Sequence, residues 1–134
     1  YLQKADDTVC LLVQAETVKA LENLEAICQV DGVHGAFIGP ADLSASMGHR
    51  GRPDHPAVQA AIDGALRTII AAGKAAGTLT TDPAQARRYL DMGCTFVATG
   101  VDLLLFANAA RKLASQFVGA GAGKAGTGKP TAGD

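Results

Sequence analysis

The chain has 134 residues, 48% hydrophobic and 19% charged, with a formal net charge of −1. That balance suits one ordinary globular domain, and offers neither the basic stripe of a nucleic-acid binder nor an acidic tail for a basic partner. The longest apolar runs, such as residues 103–107, are far too short to cross a bilayer, and no signal-peptide pattern opens the sequence.

Residues 9–13 (VCLLV) form a continuous apolar run, the pattern of a strand buried on both faces. Residues 17–28 place Leu21, Leu24, Ile27 and Cys28 at helical spacing, with Thr17 as the N-cap. A second strand, residues 36–38, stops at Gly39-Pro40, and Asp42 follows. The connection from Gly39 to His55 reads as one long polar loop. A helix is predicted to begin near Pro56, capped by Asp54 or His55. Its inward face is Val58, Ile62, Ala65, Leu66 and Ile69, and Gly73 ends it.

The third strand is residues 76–79. Asp82-Pro83 pairs a capping residue with proline at the first helical position. Ala86, Tyr89 and Leu90 are expected to face inward, Gly93 stops this helix, and Arg87 and Arg88 are expected on its solvated face. The fourth strand is residues 95–98. Asp102 is read as the N-cap of a last helix, whose stripe is Phe106, Ala109, Ala110, Leu113 and Phe117. Residues 119–134 hold no large apolar side chain and read as a disordered tail appended to a domain of residues 1–118. The tail spelling Gly123 to Lys129 has P-loop spacing, but Pro130 stands where Mg²⁺ needs a Ser or Thr, and no strand precedes it.

Four strand–helix units in series predict a parallel α/β sheet with right-handed crossovers. A small doubly wound domain fits, as does half of a (β/α)₈ barrel, which needs roughly 250 residues in full. The three cysteines, Cys10, Cys28 and Cys94, sit in apolar segments without CxxC spacing, which fits a reducing cytoplasm.

Ligands of parallel α/β folds bind at the C-terminal strand ends. There stand Gln14 and Glu16, then Gly39 to Asp42, then Leu79 with Thr80 and Thr81, then Gly100, Val101 and Asp102. Glu16 and Asp42 follow consecutive strands. Two carboxylates so placed can hold one hard divalent ion through oxygen. Equally, Glu16 can solvate or cap its helix and Asp42 can form an Asx-turn after Pro40, and spacing leaves both readings open. The long, glycine-bearing connection after Pro40 leans toward a functional site, with amides at Ala41 and beyond as carboxylate donors. His34, His49 and His55 read as surface histidines.

The spellings Val13 to Thr17 and Gly32 to Ser44 (GVHGAFIGPADLS) resemble the HpcH/HpaI family of class II pyruvate aldolases. His55 to Gln59, Gly73-Lys74, Arg88 to Leu90 and Phe96 to Asp102 resemble the same family in the same order, and the likeness runs from Tyr1 to about Phe117. It looks most like members that act on 4-hydroxy-2-oxoheptanedioate. Sugar-acid aldolases of the family, acting on 2-keto-3-deoxy-glucarate or rhamnonate, are the alternative substrate class. Citrate lyase β-type enzymes lack the GPADLS spelling. A non-catalytic half-barrel used for binding or assembly is the alternative of another class.

The resemblance implies the fold: the C-terminal half, strands five to eight, of a TIM barrel. It implies cleavage of a 4-hydroxy-2-oxo acid to pyruvate and an aldehyde, here succinate semialdehyde. The implied cofactor is Mg²⁺, Mn²⁺ or Co²⁺, with Glu16 and Asp42 as its protein ligands. Gln14 and the backbone at Pro40 and Ala41 would bind pyruvate, and Leu79 and Val101 would line the aldehyde side. The catalytic His and the pyruvate-gripping Arg would belong to a first half-barrel, so this chain is expected to hold no catalytic base and to be inactive alone. Full-length members are homo-oligomers (hexamers), so association is expected.

Overall fold

The computed structural model describes residues 2–117. The expected tail and its P-loop-like spelling lie outside these residues. The chain divides into two units, Tyr1–Gly100 and Val101–Asp134.

In the first unit a 3₁₀ turn leads into α1 (Ala5–Thr8). There follow β1 (Leu12–Ala15), α2 (Val18–Glu22), α3 (Leu24–Cys28), β2 (Gly35–Ile38), α4 (Pro40–Ser46), α5 (Pro56–Ala71), β3 (Ala75–Leu79), α6 (Pro83–Asp91) and β4 (Phe96–Ala98). The four strands form one sheet in the order β1-β2-β3-β4, every pair parallel. Sequential parallel strands joined by helices are the α/β pattern that the apolar periodicity predicts.

Strand side chains alternate between faces, so register fixes what each face carries. Ala15, Ile38, Thr78 and Val97 form one register row. The first three are fully buried, in a core with Leu24, Leu43, Val58, Ile62, Leu66, Ile69 and Tyr89. Each large aliphatic side chain sealed there contributes about 1.5–3 kcal/mol. The neighbouring row is Gln14, Phe37, Gly77 and Phe96. Gly77 leaves room for Phe37 and Phe96 to meet edge to face, centroids 5.8 Å apart; a Cβ there would lie 2.9 Å from the Phe37 ring.

Several expectations need correcting. β1 starts at Leu12, with Val9 and Leu11 about half exposed, because it is an edge strand and not one covered on both faces. The helix expected over residues 17–28 breaks at Asn23, whose side-chain amide donates to the Lys19 carbonyl. The expected loop after Pro40 begins as a helix, α4, with Pro40 in its first turn and Leu43 buried. Leu90 is half exposed. Cys10 is exposed, whereas Cys28 and Cys94 are buried, and burial pushes both thiols up in pKa. Arg88 is not simply solvated: it pairs with Asp63 at 2.8 Å and lies 4.7 Å over the Tyr89 ring.

The second unit is described by α7 (Asp102–Ala114) and the turn after it. Its N-cap is Val101 rather than Asp102, whose carboxylate accepts from the Leu103 amide. Its apolar stripe is exposed, Phe106 by 75% and Phe117 by 81%. Among the described residues no helix is long and apolar enough to cross a membrane.

Candidate functional site

At the C-terminal strand ends of the first unit lies a cavity of about 530 Å³. It gathers six of the residues singled out from the sequence: Gln14, Glu16, Pro40, Ala41, Asp42 and Leu79. Val101 belongs to the second unit and N-caps α7, so its expected role rests on the resemblance alone.

Local structure places the two carboxylates. Glu16 directly follows β1, and the helix cap falls to Thr17, whose hydroxyl accepts from the Ala20 amide at 3.1 Å. Asp42 lies in the first turn of α4, not in an Asx-turn. The segments that carry them are tied together: the Val18 amide donates to the Ser46 hydroxyl at 3.0 Å. Within α4, the Ser44 hydroxyl donates to the Ala41 carbonyl at 2.7 Å. The helix ladder includes Leu43 N–H donating to the Gly39 carbonyl, and the amides of Ala41 and Asp42 precede it.

Gly39 is shaped to Glu16. Its backbone (φ −89°, ψ 102°) is open to any residue, yet a Cβ there would lie 2.5 Å from Glu16 Oε2. Glycine at this position is a matter of space for a carboxylate.

The donor chemistry suits a hard divalent cation. Two carboxylates face the cavity, and the ion pairs among the described residues, Lys19–Glu22 and Arg88–Asp63, use neither. No group of three or more His, Cys, Asp or Glu comes together among those residues. The arrangement is therefore not the closed N/S cage of a structural zinc. Two carboxylates would suit a Mg²⁺-type ion, which is held through one or two carboxylates with the remaining positions left to water and substrate.

Gly39, Thr80 and Thr81, also placed at the strand ends from the sequence, line the cavity too, and the remaining residues were not assembled from the sequence. Asp54 and Asp82 add two carboxylates, and among the described residues no Lys, Arg or His lines the cavity. Asp82 caps α6 by accepting from the Ala84 amide at 2.9 Å. Gln59 and Gln85 also line the wall. Each is a polar residue near the start of a helix that follows a strand, the end where a parallel sheet presents its ligands, and that placement was the available signal. Near the Pro53–Asp54 wall, His49 and His55 stack at 3.7 Å. His55 caps α5, its Nδ1 accepting from the Ala57 amide. Lost hydration, then the neighbouring His49 and Arg52, hold its pKa below the usual 6.5, against an opposing pull from Asp54.

The HpcH/HpaI aldolase/citrate lyase family profile matches residues 2–109. A hydroxypyruvate/pyruvate aldolase of Cupriavidus necator is 80% identical over 117 residues, covering 87% of this chain and 44% of its own. A 4-hydroxy-2-oxo-heptane-1,7-dioate aldolase of Salmonella arizonae is 56% identical with the same coverage. Among solved structures, an HpcH/HpaI aldolase/citrate lyase family protein from Burkholderia cenocepacia superposes with a TM-score of 0.80 at 35% identity, over 87% of this chain and 45% of its own. The chain thus spans under half the length of these relatives.

Proposed function

The chain belongs to the HpcH/HpaI aldolase/citrate lyase family, and on that footing we propose that it carries the cation-holding, pyruvate-binding side of an aldolase site. The observation that carries this reading is the single cavity that gathers Gln14, Glu16, Pro40, Ala41, Asp42 and Leu79 at the strand ends.

The reaction class is carbon–carbon cleavage of a 4-hydroxy-2-oxo acid. Breaking C3–C4 leaves the electron pair on the pyruvate fragment, while the C4 hydroxyl loses its proton and becomes an aldehyde. In this reading 4-hydroxy-2-oxoheptanedioate yields pyruvate and succinate semialdehyde. The name of the 80%-identical relative extends the oxo-acid fragment to hydroxypyruvate, and deoxy sugar acids remain the alternative substrate.

Glu16 and Asp42 are the proposed ligands of a divalent cation, Mg²⁺, Mn²⁺ or Co²⁺. When bound, such an ion supplies Lewis-acid stabilisation of charge developing on substrate oxygen. Gln14 offers a neutral amide to the pyruvate unit. The backbone at Pro40 and Ala41 receives its carboxylate, and Leu79 bounds the aldehyde side. Gly39 keeps Glu16 in place, and the Val18–Ser46 bond holds the two carboxylate segments in register.

Among the described residues the wall holds four carboxylates and no cationic side chain, so a bound divalent ion is what would draw an anionic oxo acid into it. The family resemblance puts a histidine base and a pyruvate-gripping arginine outside this lining, and we propose that the chain alone is not a complete enzyme. Among the described residues the outer sides of β1 and β4 are unpaired within the sheet, which favours association with further strands. Three free cysteines fit a cytoplasmic setting.

Manganese titration of the chain, followed by electron paramagnetic resonance, tests the ligand assignment. Binding is expected, with Asp42→Ala and Glu16→Gln each weakening it at least tenfold. Unchanged affinity in both variants would refute it.

A further inference from the structure

Among the cavity residues with no part in the reading above are Gln59, Thr80, Gln85 and Tyr89. They form one continuous chain of hydrogen bonds. The Asp82 amide donates to Thr80 Oγ1 at 3.2 Å, and that hydroxyl donates to Gln85 Oε1 at 2.6 Å. Gln85 Nε2 donates to Gln59 Oε1 at 2.5 Å, and Gln59 Nε2 donates to the Pro53 carbonyl at 2.8 Å. The Tyr89 hydroxyl donates to Gln59 Oε1 as a second partner, at 3.3 Å.

The chain has one direction only. A backbone N–H, which can only donate, closes one end, and a backbone carbonyl, which can only accept, closes the other. Reversing the Gln59 amide would set oxygen against the Pro53 carbonyl and NH₂ against NH₂. Burial keeps the Tyr89 phenol protonated, as a donor must be. Thr80 and Tyr89 are buried, and among the described residues no buried side-chain N or O lacks a partner. A fully satisfied network of this kind rigidifies what it joins. It joins the end of β3 and the start of α6, through α5, to the Pro53 wall.

We propose that Gln59 is a positioning residue, holding the Pro53–Asp54 wall to the end of β3 and thereby setting the grip on the part of the substrate beyond its pyruvate unit. The proposal rests on the cavity being a 2-oxo acid site, and deepens that reading.

The test compares two probes on the Mn²⁺-loaded chain by calorimetry. One is pyruvate. The other is 2-oxoheptanedioate, which lacks the C4 hydroxyl and cannot be cleaved. Gln59→Leu and Thr80→Val are expected to weaken 2-oxoheptanedioate roughly three- to tenfold, leaving pyruvate and Mn²⁺ within about twofold. Thr80→Ser keeps the hydroxyl and should bind as the parent chain does. If both probes and the melting temperature fall together, the relay is only a brace and the proposal is overturned. An unchanged ratio of the two affinities also overturns it. Should Gln59→Leu fail to fold, the Thr80→Val and Thr80→Ser pair decides. Absence of Mn²⁺ or pyruvate binding in the parent chain would overturn the functional reading and this inference with it. Normal binding of both without discrimination overturns the relay alone.

Discussion

Replacing Gly39 by alanine separates a glycine kept for backbone freedom from one kept for a carboxylate. The backbone at Gly39 suits any L-residue, so alanine brings no conformational strain. The new methyl would sit 2.5 Å from Glu16 Oε2, against an ordinary contact of 3.4 Å, and the carboxylate must retreat by about 0.9 Å. The methyl would also lie 3.1 Å from the Glu16 Cβ, a tight contact that yields with a small shift. Because the nearest atom ends a flexible side chain, stability should fall only by about 1–2 kcal/mol, part of it from losing glycine at the N-cap of α4. A displaced ligand is costlier to the site than to the fold: Mn²⁺ affinity should drop about 10–100-fold. Thermal melts and Mn²⁺ titration on one preparation read both quantities. Wild-type affinity in a folded Gly39→Ala protein would refute the argument that this glycine makes room for a ligand.

The same geometry predicts the reverse balance elsewhere. At Gly35 a Cβ would collide with the Ala75 carbonyl oxygen and lie 2.8 Å from the Ala75 Cβ, neither of which can swing away. Gly35→Ala should therefore cost about 3 kcal/mol in urea unfolding, and a loss under 1 kcal/mol would contradict this. His55 predicts a pH effect. Its folded pKa is depressed and its Nδ1 accepts a hydrogen bond, so its contribution is present above the unfolded pKa near 6.5 and is lost as pH falls below that value. NMR titration should place His55 below 6.5, and His49→Ala should move it upward; an unmoved value would contradict the stacking argument.

The strand–helix alternation was legible in the sequence because buried strands and amphipathic helices write their periods into apolar spacing. The caps Thr17 and Asp82 were legible from residue type and position, and of the two candidates Asp54 and His55 the structure selects His55. The helix α4 was not, since PADLSAS buries only Leu43 and Ser44 and shows no stripe. Its start was nonetheless spelled out by Pro40 in the first turn and Asp42 beside it. The strand-end carboxylates could be paired by topology, yet spacing could not choose between ligand and turn residue. The Gln59–Gln85 link joins residues 26 apart in sequence, and no local rule announces it. Gly39 marks the end of β2 in the sequence, but no local rule says that the space it leaves is filled by Glu16.

The account turns on Asp42 and Glu16 serving a pyruvate aldolase, and one chimera tests that directly. This chain replaces the matching segment of the 80%-identical Cupriavidus necator relative, and pyruvate release from 4-hydroxy-2-oxoheptanedioate is followed with Mn²⁺ present. The chimera should release pyruvate, and the same chimera with Asp42→Ala should lose at least 99% of that rate. Equal rates with and without Asp42, or no pyruvate from the folded chimera, would contradict it.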